Sequence, residues 1–129
     1  MDICIKTIPH TEQNYDTVGD YWTNEDGLVE FRISKIGDDY EFLVLIHELI
    51  EQYLTKRRGI TEKSICEFDV QYEEERKKGL HPKDAEPGDD LKAPYRKEHK
   101  FATLLERLLA HELGVDWEEY EDIVMSLEY

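Results

Sequence analysis

The chain has 129 residues, 40% hydrophobic and 36% charged, with 31 acidic against 16 basic side chains and a net charge of −15. That length supports one domain with one core, and the aromatic content of 11% argues against disorder. The charge disfavours direct binding to nucleic-acid phosphates, and the longest apolar run, Phe42 to Ile46, is far too short to span a membrane.

Ile3, Ile5 and Ile8 alternate as far as Pro9, and Val29, Phe31 and Ile33 alternate with Glu30, Arg32 and Ser34, so both stretches predict strands. Between them, Tyr21-Trp22-Thr23 is joined to Leu28 through the turn-forming Asn24-Glu25-Asp26-Gly27, which predicts a hairpin. The expected N-terminal layer, residues 1–36, is a small antiparallel sheet. From residue 38 onward the pattern turns helical. Asp38 with Glu41 predicts the start of a helix over 39–58 that stops at Gly59. Thr61 caps a second helix over 62–78, with Ile65, Phe68 and Tyr72 on one face. Residues 80–94 hold Pro82, Pro87, Gly88 and Pro94 and predict a long loop with a lid or binding role. A third helix follows Pro94 to Leu113, and Asp116 with Glu119 caps a short fourth one. The fold class expected is α+β, a single domain over 1–129.

No leader peptide is visible at the N-terminus, so a cytoplasmic location is the default expectation. Cys4 and Cys66 lack metal or disulfide spacing and read as reduced core thiols. Lys92, Arg96, Lys97, Lys100 and Arg107 form a locally basic stretch, read as a solvated helix face. His10 and His81 read as surface residues, and His111 as favouring the C-terminal dipole of the third helix.

The first helix carries the functional argument. Phe42, Leu43, Val44, Leu45, Ile46, Leu49, Ile50, Tyr53 and Leu54 leave it almost no polar side, so it should be buried together with His47, Glu48 and Glu51. At about 100° per residue, His47 and Glu51 share one narrow sector, with Glu48 a quarter-turn away. Asp69 falls inside the apolar stripe of the second helix, and Glu98 lines up with Ala102, Leu105 and Leu109 on the third, with His99 at the edge. Carboxylates cannot gather in a dry core without a counter-charge. A divalent metal, zinc foremost with iron or manganese as alternatives, is the simplest one. The expected ligands are His47, Glu51 and Glu98, with Asp69 or His99 as fourth ligand or orienting partner and Glu48 as general base in a hydrolase. The competing reading is a hydrogen-bonded core network that holds no metal.

The segment His47-Glu48-Leu49-Ile50-Glu51, with a strand before it, resembles the core of the zincin metallopeptidases. That resemblance implies His47 as first zinc ligand, Glu48 as base, a ligand at position 51, where this chain has glutamate, and Glu98 as downstream ligand. Most of the chain also resembles a group of small proteins encoded by phages and prophages. The matching motifs are Thr7-Ile8-Pro9-His10, Tyr15-Asp16-Thr17-Val18-Gly19-Asp20, His47 to Glu51, Glu86-Pro87-Gly88-Asp89-Asp90, Ala93-Pro94-Tyr95 with Glu98-His99, and Leu113-Gly114-Val115-Asp116-Trp117. A phage or prophage context and the host cytoplasm are what this second resemblance implies. The alternative function is a non-enzymatic acidic protein that binds a host protein or imitates nucleic acid. Magnesium-dependent nucleotide hydrolysis on acid-rich helices suits the buried His47 and the N-terminal sheet poorly.

Overall fold

A computed structural model describes all 129 residues. Three strands, β1 (Ile3–Ile8), β2 (Gly19–Thr23) and β3 (Val29–Ser34), precede four helices, α1 (Asp38–Arg57), α2 (Glu62–Lys77), α3 (Arg96–Glu112) and α4 (Trp117–Met125). The architecture is α+β. No helix is long and apolar enough to cross a membrane.

The sheet corrects one expectation. Its order is β1-β3-β2, with β2 antiparallel to β3 and β1 parallel to β3, so the sheet is mixed. The hairpin forms as the turn residues dictate, but β3 is the strand buried on both faces, and it takes the centre with a neighbour on each side. The direction of β1 is decided by the connection over residues 9–18. Buried His10 pins that connection, through 2.8 Å from its Nδ1 to the Ser34 hydroxyl and 2.9 Å from its Nε2 to Asp16. His10 is therefore a structural core residue and not the surface residue expected.

Val29, Phe31 and Ile33 project to the helical side, where Ile33, Leu43, Val44, Ala110 and Tyr120 form the main core. α1 lies across the sheet and α3 packs along α1. A smaller cluster, Ile65, Ala93 and Tyr95, seats α2 and the end of the long loop. Helix starts follow the predicted chemistry at Thr61, whose hydroxyl accepts from Ser64 N–H, and at Asp116, which accepts from Glu119 N–H. At α1 the cap is Gly37, and Glu41 reaches back to accept from the N–H groups of Ile36 and Gly37. The first helix is less enclosed than expected, since Phe42 is 44% and Tyr53 50% exposed. Nor are the cysteines core thiols: Cys4 is half-buried and Cys66 exposed.

Candidate metal centre

His47 and Glu51 lie one turn apart on α1, which puts both side chains on the face turned toward α3. His99, in the first turn of α3, meets them from across the helix interface. All three are buried, with 6–8% residual exposure. His47 Nε2 is 3.2 Å from Glu51 Oε2 and 3.2 Å from His99 Nδ1, and His99 Nδ1 is 2.9 Å from Glu51 Oε2. The three atoms make a nearly equilateral triangle. Around a tetrahedral zinc ion with ligands about 2.0–2.2 Å away, neighbouring ligand atoms sit about 3.3–3.6 Å apart. An outward shift of a few tenths of an ångström converts one spacing to the other. Buried His47, Glu51 and His99 could hold a metal ion.

Each member is held from outside. His47 Nδ1 lies 2.8 Å from Glu106 Oε1, and Glu106 Oε2 in turn accepts from the Tyr120 hydroxyl at 2.6 Å. His99 Nε2 lies 2.8 Å from Glu86 Oε2. The Tyr21 hydroxyl donates to Glu51 Oε1 at 3.0 Å. With the outer ring nitrogens donating to carboxylates, both neutral imidazoles turn a lone pair inward, toward the free oxygen of Glu51. That arrangement requires a cation at the centre, either a metal ion or extra protons on the rings.

In the chain alone the protons fill the role. Burial disfavours the His47 and His99 cations, but hydrogen bonds to carboxylates outweigh it: Glu106 and Glu51 raise His47 well above the usual range, and Glu51 and Glu86 lift His99 to about 10. Burial also opposes the Glu51 anion, and the hydrogen bonds from His47 and His99 overcome it, holding the carboxyl down to about 2.

Glu48 stands beside the triangle and makes no hydrogen bond. Its carboxyl rests on Gly19, where an added Cβ would come within 2.9 Å of Glu48 Cγ and 2.8 Å of Val44 Cγ1. Burial, followed by the charge of Glu51, raises it well above the carboxylate range. Two further acids adjoin: burial lifts Asp20 to about 6 and Asp69 to about 7.

Two predicted ligands lie elsewhere. Glu98 is buried, but on the neighbouring sector of α3, where its Oε2 accepts from Arg58 at 2.7 Å. Asp69 accepts from the Tyr95 hydroxyl at 2.5 Å. An arginine and a phenol have answered the burial of these two acids. Conversely, sequence reasoning missed Glu106, Glu86, Tyr21 and Tyr120. Glu106 carried the signal available, because it falls on the α3 face that holds Ala102 and Ala110.

The long loop covers the His99 side. Its short 3-10 turn, Pro87–Asp89, presses Gly88 on the imidazole so closely that an added Cβ would lie 2.4 Å from His99 Cγ. Glu86, 60% exposed, and Asp89, 3.6 Å from His99 Nε2 and 58% exposed, mark the solvent side. Of the other histidines, His81 stacks on Tyr72 at 3.8 Å and His111 is exposed. Two open surface depressions of about 530 and 280 Å³ lie on the outer side of α2 and between β1 and α1, and neither includes a residue of the triangle. No protein-family model, curated protein or solved structure matches the chain at a significant level.

Proposed function

We propose that the protein is a divalent-metal protein, zinc foremost, that uses His47, Glu51 and His99 as ligands for metal-dependent hydrolysis. The single observation that carries this reading is the convergence of two imidazole nitrogens and one carboxylate oxygen within 2.9–3.2 Å of one another, each side chain fixed by an outer carboxylate or phenol. Two histidines and one glutamate are the donor set of catalytic zinc sites, in which three protein ligands leave the fourth position to water or substrate, whereas structural zinc sites are closed by four protein ligands. Iron and manganese suit the same nitrogen and oxygen donors. Glu48, adjacent in sequence to His47 and unpartnered, is the base for the attacking water, ionised when the charge of a bound cation offsets the burial that favours its neutral form. This matches the order of histidine and glutamate in the zincin pattern, with His99 of α3 supplying the second imidazole that the pattern would place at position 51. The resemblance to phage- and prophage-encoded proteins supports a host-cell setting for this activity.

The deciding experiment is elemental analysis of untagged protein, native and with His47→Ala or His99→Ala, with melting curves in and out of chelator. Near-stoichiometric zinc, iron or manganese that vanishes in both variants, with a chelator-sensitive melting temperature only in the native protein, is the expected result. Metal-free native protein after growth and dialysis with each metal sinks the proposal. The His/Glu group would then be a core network, and the acidic surface would become the functional feature. If metal is present, Glu48→Gln should keep it and lose hydrolysis.

A further inference from the structure

The face of α3 opposite the histidine carries an apolar stripe that nothing in the chain covers. Phe101 is 47% exposed, Leu104 60% and Leu108 67%. At about 100° per residue these three fall in one sector about 80° wide, together with exposed Lys97 at its start and exposed Glu112 at its end. Ala102, Glu106 and Ala110, which face α1 and the core, lie on the other side of the helix. Three large apolar side chains left open in a row mark an interaction surface and not scattered exposure.

The order of charges along the stripe says what covers it. Lys97, Phe101, Leu104, Leu108 and Glu112 read as a basic end, three apolar positions and an acidic end, spread over about 22 Å of helix. Laid antiparallel on a copy of itself about a two-fold axis midway between positions 104 and 105, the stripe is self-complementary. Lys97 then faces Glu112 of the partner copy at both ends, Phe101 faces Leu108, and Leu104 meets Leu104. A parallel arrangement would set lysine on lysine and glutamate on glutamate. We infer that a second copy of this chain occupies the stripe, and that the protein forms an isologous antiparallel dimer through α3. Arg107, at the margin, is already stacked 4.9 Å above the Trp117 ring, which keeps it out of the seam.

The inference is independent of the metal, because the stripe and the ligand triangle lie on opposite faces of α3. Its test is sedimentation equilibrium of the full chain at micromolar to submillimolar concentration, in reductant and physiological salt to screen the charge of −15 on each copy. Twice the chain mass is expected for the native protein. Leu104→Glu with Leu108→Glu should give a monomer of unchanged circular dichroism that still melts cooperatively, at a temperature that no longer depends on protein concentration. Lys97→Glu should weaken the dimer roughly tenfold by opposing acids at both ends, and adding Glu112→Lys should restore it. A native protein that stays monomeric throughout, or a dimer that survives Leu104→Glu with Leu108→Glu, overturns the proposal. So does a charge swap that fails to recover what Lys97→Glu lost, or a Lys97→Glu variant that associates like the native chain.

Discussion

Glu106 and His47, 59 positions apart in the chain, are joined by a buried 2.8 Å contact between carboxylate and ring Nδ1. This pair decides which nitrogen of His47 is offered to the centre. It also connects the centre to the C-terminal helix, because the Tyr120 hydroxyl donates to the other oxygen of Glu106.

Removing that support should weaken metal binding without removing a ligand. Glu106→Gln is expected to lower metal affinity about 10- to 100-fold, the usual effect of losing an outer carboxylate partner, and Tyr120→Phe to lower it less. Competition against a coloured chelator measures both. In the metal-loaded protein the His47 ring ¹⁵N shifts should show Nδ1–H, and the Nδ1 signal should move in Glu106→Gln as its carboxylate acceptor becomes an amide. Unchanged affinity with an unchanged Nδ1 shift would make Glu106 a purely structural acid.

Stability should run in opposite directions with pH in the metal-free and metal-bound forms. Burial raises Asp20 to about 6 and Asp69 to about 7, so the stability they contribute is complete below the unfolded value near 4 and is lost as pH rises through 6 to 7. Hydrogen bonds to Glu51 and Glu86 outweigh burial in lifting His99 to about 10, so its contribution is lost between about 6.5 and 10. Chelated protein should therefore melt several degrees lower at pH 8.5 than at pH 5. Metal needs the deprotonated rings, so its stabilisation should grow over the same range. A chelated melting temperature that rises with pH would show these assignments to be wrong.

Gly88→Ala tests the loop. Its Cβ would lie 2.4 Å from His99 Cγ and 2.5 Å from Nδ1, so either the Pro87–Asp89 turn or the imidazole must move. A cost of about 1–3 kcal/mol from overpacking is expected, together with weaker metal binding. Gly19→Ala, which meets Val44 Cγ1 at 2.8 Å, should show a comparable loss of stability while leaving His99 in place. Denaturant melts and metal titration of the two variants separate the effects.

Arg58→Ala leaves the buried Glu98 carboxylate without its partner and should cost about 1–3 kcal/mol, less than a fully buried pair because the Arg58 side chain is 42% exposed. Metal content should not change. Metal loss in Glu98→Gln equal to that in His47→Ala would return Glu98 to the ligand set.

Helix limits, the β2–β3 hairpin and the inward sector of His47 and Glu51 were legible in the sequence because each depends on residues within a few positions of one another. Periodicity puts His47 and Glu51 one turn apart, and turn residues close the hairpin whatever surrounds them. The long-range partners followed a different rule. Glu98 and Glu106 both fall on buried sectors of α3, two turns and about 12 Å apart. Only the axial slide and rotation of α3 against α1 chose Glu106 for His47, gave Glu98 to Arg58 and swung His99 into the triangle. Likewise, β3 took the centre because it is buried on both faces, and β1 runs parallel to it because the connection over residues 9–18, pinned by His10 to Ser34, returns the chain that way. Local backbone and side-chain preference settled the elements by themselves, whereas the identity of the converging ligand atoms came from packing between elements, which no single stretch of sequence encodes.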